Sequence, residues 1–340
     1  SVFRAQDSPL PPLGATNSQV DDDGRLVLTS DRAGDATVSA LPNGRPRFSF
    51  RARTRVTTSD PSASYVVDAG LSADGRRVVD AAPAGVGVVW DVDSARQVTR
   101  LQGHGDIFRA PALDARGDRA ATVGPDAVRI WDTGSGELLE TLSVTAPGTV
   151  ALDRGGDTVV VVNAAGASTW DAGTGDRLAT LAGTGDVFRS VRFDPAGDRV
   201  AAVGADGNAR VWDAHTGAII RTGFGTASSQ AIGKRYDAVF ADFSADGRQL
   251  VTIASGGVLR VWDAESGRLL AEPPAVTVSN QLGVTLAALT RDRGHVVVAL
   301  GTSISRYPCT VCATTPELVR RARTAVSRYV ARHAQTLLEQ

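Results

Sequence analysis

Hydrophobic residues in this chain come in short blocks. Thr158 to Val162, Arg199 to Val203 and Val296 to Leu300 are largely β-branched or apolar runs bounded by glycine-rich turns, a pattern of buried strands. Each block follows an apolar residue and a polar turn reaching glycine, as in Phe193-Asp194-Pro195-Ala196-Gly197 and Phe243-Ser244-Ala245-Asp246-Gly247. The marker recurs at Gly24, Gly75, Gly117, Gly156, Gly197, Gly247 and Gly294. A second signal runs in phase with it. All five tryptophans precede aspartate, as Trp90-Asp91, Trp131-Asp132, Trp170-Asp171, Trp212-Asp213 and Trp262-Asp263, at intervals of 41, 39, 42 and 50 residues. Each tryptophan closes a short third strand, for example Val128 to Trp131 or Val258 to Trp262. An Asp-x-x-x-Gly turn then leads into a fourth strand such as Glu137 to Glu140. One such unit exposes two apolar faces, so units must stack to bury them. Seven markers predict seven four-stranded antiparallel units, two of them without the Trp-Asp signature.

Gly103-His104-Gly105-Asp106-Ile107-Phe108-Arg109-Ala110, running on to Gly117, resembles the Gly-His opening and first strand of the WD-repeat family, with Phe108 at the apolar anchor. The likeness covers roughly Val20 to Tyr307. It implies an all-β fold, a seven-bladed β-propeller of four-stranded antiparallel blades. It also implies a structural tetrad of His104, Thr122, Asp126 and Trp131. Departures are plain: the blade of Trp212 opens with Gly183-Thr184, which leaves Asp206 without a histidine, and the blade of Trp262 has Gly256 at the turn position. The first blade has Val38-Ser39-Ala40 in place of Trp-Asp, and the last has Ile304 to Pro308. These two flank the ring closure. An open ring leaves strand edges unpaired, and Ser1 to Gln6 is the expected closing strand, with Cys309 to Ala313 as the competing one.

The period changes after Thr315. Pro316 onward predicts one C-terminal α-helix, capped by Thr315, with Leu318, Ala322, Ala325, Tyr329, Ala334 and Leu337 on one face. The expected division is thus a propeller over 1–314, in which 1–6 is the closing strand, and a basic amphipathic helix over 315–340. Five arginines (Arg320, Arg321, Arg323, Arg328, Arg332) against Glu317 and Glu339 give that helix a charge of +3. A helix laid across the propeller is the plain expectation, and a self-associating or partner-binding helix the sharper one. Cys-x-Val-Cys before Leu-Val-x-x-Ala-Arg resembles the tail that follows propellers in bacterial multidomain regulators of the STAND ATPase type. Cys309 and Cys312 are the only cysteines. Their spacing fits a local disulfide or buried thiol pair, a redox pair, or half of a zinc site. Zinc usually takes four ligands, and His104, His215, His295 and His333 show no ligand spacing, so no metal is expected.

Composition narrows the function classes. The 36 basic and 37 acidic residues nearly cancel, and no apolar run nears the roughly 18 residues of a membrane span. The start carries no secretory pattern and the chain no methionine, which suggests an excised domain; arginine in place of lysine everywhere but Lys234 suggests a GC-rich bacterial genome. A cytoplasmic setting is expected. No Gly-x-Ser-x-Gly elbow, phosphate loop or His-Glu-x-x-His motif is present, so no catalytic residue and no cofactor are assigned. The enzymatic alternative is a quinoprotein propeller, whose Asp-Ala-x-Thr-Gly turn Asp171 to Gly175 and Asp213 to Gly217 resemble. That family places tryptophan after the turn, where this chain has leucine or isoleucine. The expected function is non-catalytic recognition of a protein or peptide, with an upstream domain of the same chain as one candidate partner, and no nucleic acid or membrane. By resemblance, residues beside the apolar anchor face the partner: Ile107, Arg109, Val187 and Arg189. An internal salt bridge within the repeated Asp-x-Phe-Arg is the competing reading. Arg51 to Ser64 and Thr222 to Lys234 are expected to be surface insertions, with Arg51, Arg53 and Arg55 a solvated basic cluster.

Overall fold

The computed structural model describes residues 6–8, 15–31, 35–41, 44–51, 68–82, 86–103, 109–181, 188–204, 206–224, 238–244, 246–254, 259–272, 284–289, 295–300 and 303–308. All regular structure among them is strand. After β1 (Gln6–Ser8), the first sheet comprises β2 (Ala15–Val20), β3 (Leu26–Asp31), β4 (Asp35–Ala40) and β5 (Arg45–Arg51). The second holds β6 (Asp68–Leu71), β7 (Arg77–Ala82), β8 (Val86–Asp91) and β9 (Arg96–Gln102). The third holds β10 (Arg109–Leu113), β11 (Arg119–Val123), β12 (Ala127–Asp132) and β13 (Leu138–Ser143). In the fourth are β14 (Pro147–Leu152), β15 (Thr158–Asn163), β16 (Gly166–Asp171) and β17 (Arg177–Thr180). In the fifth are β18 (Phe188–Phe193), β19 (Arg199–Gly204), β20 (Ala209–Asp213) and β21 (Ile219–Phe224). The sixth contains β22 (Ala238–Phe243), β23 (Gln249–Ala254), β24 (Leu259–Asp263) and β25 (Leu269–Ala271). These six four-stranded antiparallel sheets each use consecutive strands.

The last sheet is composite. β26 (Val284–Leu289), β27 (His295–Leu300) and β28 (Ser303–Pro308) are joined by β1, in the order β1-β28-β27-β26, with Gln6 opposite Arg306 and Ser8 opposite Ile304. Ser1 to Ala5, Cys309 to Ala313 and the helix expected over 315–340 lie outside the described residues.

The sheets meet through their first strands, β2, β6, β10, β14, β18, β22 and β26 lying side by side in that order, with β26 also against β2. Apolar residues therefore bury between neighbours. Val123, Ile130 and Leu142 of the third sheet pack with Val150, Val159 and Val161 of the fourth, and Phe188, Val191 and Trp212 of the fifth with Val160, Val162 and Leu181 of the fourth. Strand β21 runs through Thr222 and Gly223, residues expected to begin a surface loop, and carries Phe224 into the core. There its ring sits edge-on to Trp262 of the sixth sheet, 6.0 Å away. Burial of one large aromatic side chain outweighs the polar character of the segment around it.

Turn glycines lock each sheet onto the next. The glycine ending each Asp-x-x-x-Gly turn has positive φ and approaches the outer strand of the preceding sheet. A Cβ on Gly217 (φ 71°) would lie 2.2 Å from the Thr180 carbonyl oxygen, and one on Gly136 (φ 79°) 2.6 Å from Thr99 Oγ1. In the second sheet the same position is Ala95, held at φ 55°. A left-handed conformation costs an L-residue roughly 1–2 kcal/mol. Chemical denaturation should therefore show Ala95→Gly stabilising the chain by up to about 1 kcal/mol, after the added chain entropy of glycine. Gly217→Ala should destabilise it by more than Gly223→Ala, whose Cβ would meet nothing within 4 Å; equal losses would show that close approach does not constrain the turn.

Candidate functional site

The aspartates of the Trp-Asp signature have a structural task. Asp132 Oδ1 accepts the Ser135 N–H at 2.7 Å, the Gly134 N–H at 3.0 Å and the Ser135 hydroxyl at 2.9 Å. Asp171 with Thr174, Asp213 with Thr216, and Asp263 with Ser266 repeat the device. Backbone and side-chain donors at the turn hold these carboxyls below the usual range, led by the Ser135 N–H for Asp132 and the Thr174 N–H for Asp171. They are ionised turn caps, each already taken by its own loop.

The tryptophan indoles show how one repeat position has diversified. Trp131 pairs with Ala120 across the sheet, and two residues on, Thr122 accepts its Nε1–H at 2.7 Å. Trp262 and Thr252 repeat this at 2.8 Å. The fourth sheet has Val161 at the matching place, and Trp170 turns to Ser168 of its own strand at 2.8 Å. The second sheet places Asp80 there, 3% exposed, accepting the Val88 N–H at 2.8 Å and the Trp90 Nε1–H at 3.4 Å. Of the expected tetrad, Thr122 and Trp131 are thus joined; Asp126 is exposed at the turn between β11 and β12, and His104 lies outside the described residues. Asp206 is held instead by Arg210 Nη2 at 2.5 Å and by Asn208.

Perturbed acids can mark active sites. Burial raises the Asp80 carboxyl to about 6, against the Val88 and Trp90 donors, and raises Asp242 on β22 to about 6, against Arg192. The two belong to the second and sixth sheets and form no pair. No group of three His, Cys, Asp or Glu among the described residues could hold a metal, and no helix among them is long and apolar enough to cross a membrane.

The expected recognition residues fall at the starts of first strands. Arg109 opens β10 opposite Val123, and Arg189 follows Phe188 in β18. Both strands are irregular there: Phe188 faces Gly204 and Ser190 faces Val203, so Arg189 is the residue inserted by a β-bulge, and β10 shifts register between Arg109 and Ala112. The same irregularity occurs in β2, β14, β22 and β26. Bulges re-aim side chains and end regular pairing, and hydrophobic alternation alone does not reveal them. Ile107, Val187, Asp106, Asp186, Cys309, Cys312, Gly256, Arg53 and Arg55 lie outside the described residues, as does nearly all of each expected insertion.

A cavity of about 660 Å³ lies among the turns between first and second strands, lined by Asp22, Ala73, Asp74, Arg116, Asp118 and Arg154 among others. The turns are strung together by Asp22 N–H to the Ala73 carbonyl, Asp74 N–H to the Ala115 carbonyl and Ala115 N–H to the Arg154 carbonyl. Arg154 Nη1 returns to Asp22 Oδ2 at 2.5 Å. Most charges in this lining are paired with one another, so it presents little net charge to a ligand.

Asp80 sets a pH dependence whose sign follows from linkage. Its ordinary value is 3.8 and its folded value about 6, so between these the folded state binds more protons and stability rises as pH falls through 6. Asp80→Thr, which copies Thr122 and Thr252, should raise stability at pH 7.5 by about 2–3 kcal/mol and gain much less at pH 4.5. Thermal unfolding of both proteins across that range checks it; a gain independent of pH would mean that the carboxylate is not the source.

A family model described as "WD domain, G-beta repeat" matches residues 175–213, from the turn before β17 to the end of β20. No curated protein matches the chain. WD40 repeats generally act as protein-interaction scaffolds and are typically non-enzymatic. The matched repeat and the recurring four-stranded antiparallel sheet together support a WD-repeat β-propeller.

Proposed function

We propose that the chain is a non-catalytic recognition module, a seven-bladed propeller closed by its N-terminal strand, whose partner is a protein or peptide bound at the starts of the first strands. The observation that carries this reading is the irregular pairing at those starts, with Arg189 as the inserted residue of β18 and Arg109 paired opposite Val123 just before the register shift of β10. The sequence of first-strand contacts, which returns from β26 to β2, and the pairing of β1 with β28 support the closed seven-blade ring. The signature aspartates are committed to their own turns, which favours recognition over catalysis. In this reading the propeller is the cytoplasmic sensor of a larger bacterial regulator of the STAND ATPase type, and it binds or restrains an upstream effector. Cys309 and Cys312 act as a structural pair behind it, and the basic C-terminal helix lies against the propeller.

Arginine is over-represented at interface hot spots. Arg109→Ala with Arg189→Ala should weaken partner binding at least about tenfold and leave the melting temperature within a degree or two. Affinity purification with wild-type and doubly substituted baits, followed by titration of the protein lost from the variant, measures this. Retention of the same partner by both baits would move the site away from the first-strand starts, and a lower melting temperature with undiminished binding would make these arginines internal braces.

A further inference from the structure

From the first sheet to the sixth, every seam between neighbours is filled by a pair of large side chains. Near its end, the fourth strand of one sheet buries an apolar anchor: Phe50, Leu101, Leu142, Leu181 and Phe224 are all 7% exposed or less. Each anchor clusters with the signature tryptophan of the next sheet. Register fixes its place. Leu142 stands opposite Val128, three positions before Trp131, and Leu101, Phe50 and Phe224 hold the same place in their own sheets.

The seam between the last sheet and the first has serine in both places. In the last sheet the anchor position, opposite Ile304 and three before Tyr307, belongs to Ser8 of β1. In the first sheet the tryptophan column holds Ser39, opposite Val27 as Trp131 is opposite Ala120. Leu26, Leu28, Ala36 and Val38 pack on the second sheet. Alternation along the strands therefore turns Val27, Thr29, Thr37 and Ser39 the other way, toward the last sheet, whose β26 lies against β2. The hydroxyls of this face bond within their own sheet: Thr37 Oγ1 with Ser49 Oγ at 2.9 Å, and Thr29 Oγ1 to the Thr37 carbonyl at 3.4 Å.

We propose that the ring opens reversibly at this seam and that β1 exchanges there with β1 of a second copy of the chain, giving a strand-swapped dimer. The inference rests on the closure of the ring by β1. Opening any seam from the first sheet to the sixth exposes an anchor and a tryptophan to water, whereas opening this one exposes no such pair. It also leaves β28 with an unpaired edge, which β proteins avoid, so the edge recruits a strand. β1 of another copy restores the same three pairings, and its Gln6, Asp7 and Ser8 suit a seam whose first-sheet face bears hydroxyls. A foreign strand with leucine or phenylalanine opposite Ile304 finds no tryptophan to meet in the first sheet, so the chain's own strand is the better match. The link from β1 to β2 reads Pro9-Leu10-Pro11-Pro12-Leu13-Gly14. Its three prolines lack backbone donors and favour extended backbone, which suits a strand passed to a neighbour. Exchange of an identical element is a low-cost route to a dimer.

The test warms the concentrated full chain to the onset of unfolding, then cools and dilutes it. Size exclusion with light scattering should show a species of twice the monomer mass that persists on dilution, because the strands return only through opening. In the monomer, amide hydrogen exchange should be at least about tenfold faster in β1 than in β13, its counterpart in the third sheet. Residues directly opposite on neighbouring strands lie close enough for a disulfide. Ser8→Cys with Ile304→Cys, oxidised as a monomer, should therefore form the intrachain bond and give no dimer until reduced. Wild-type chain under the same redox treatment controls for Cys309 and Cys312. A Ser8→Cys chain mixed with an Ile304→Cys chain should give an interchain disulfide only after warming. A chain that stays monomeric, a dimer that forms equally in the oxidised double variant, or a mixed dimer without the cross-link would overturn the exchange. Absence of the intrachain disulfide from the folded double variant would overturn it together with the closure by β1. Arg109→Ala with Arg189→Ala should dimerise as wild type does, which separates failure of the exchange from failure of the first-strand site.

Discussion

A four-stranded sheet of this sequence is apolar on both faces, and no sheet can bury its own. Everything else in the molecule follows from how one sheet is fastened to the next. At the inner edge the first strands lie against each other. At the outer edge two turn glycines press into the preceding sheet at a distance that excludes a Cβ, Gly217 against the Thr180 carbonyl and Gly136 against Thr99 and the Arg100 carbonyl. At these two positions the positive φ and the close approach are separate demands on one residue, and only glycine meets both. Ala95 meets the first at a cost.

The same fastening explains where arginine is used between the sheets. Arg119 at the start of β11 donates to the Gly156 carbonyl of the next sheet at 2.8 Å, and Arg199 at the start of β19 to the Gly247 carbonyl at 2.5 Å. Arg199 also holds Asp194 at 2.9 Å and lies over Phe243, 5.2 Å from the ring centroid. One guanidinium thus satisfies a turn carbonyl, neutralises a buried carboxylate and covers an aromatic ring. Its planar fork suits it to all three in a way that lysine does not. Arginine at these positions is read most simply as architecture, so an arginine outside them stands out.

Much of this was legible from the chain. The Trp-Asp period and the seven glycine markers locate the second and third strands to within a residue or two and the start of the fourth, because alternating burial and turn chemistry are local properties. What stayed hidden depends on relations between distant residues. A bulge such as that at Arg189 shifts register without altering composition. Phe224 sits in a polar stretch, and only its neighbour in the next sheet shows it to be core. Asp80 lies inside an apolar run where charge argues for exposure; aligning repeats on their tryptophans puts it in the column of Thr122 and Thr252, which was the available signal. The contact of the first two sheets through Arg47 and Asp93 joins residues 46 positions apart, and the sequence alone shows only the small group at Arg51, Arg53 and Arg55.

In a repeat protein, symmetry itself is the test of function. A position that holds the same residue type in every sheet, engaged in the same bond, is explained by the sheet's own needs. The signature aspartates and the turn glycines fall in this class, and neither identifies a ligand. Information about partners must reside where equivalent positions differ without a structural reason. Asp80 differs, but it answers an indole that Thr answers elsewhere, so its consequence is for stability and pH. The arginines of β5 and β9 differ too. The fold uses part of that difference, since Arg47 bonds Asp93 of the neighbouring sheet and Arg100 acts on the buried Asp80. Only a difference that the fold leaves unused carries information about a partner, and an arginine already engaged by its neighbours does not qualify.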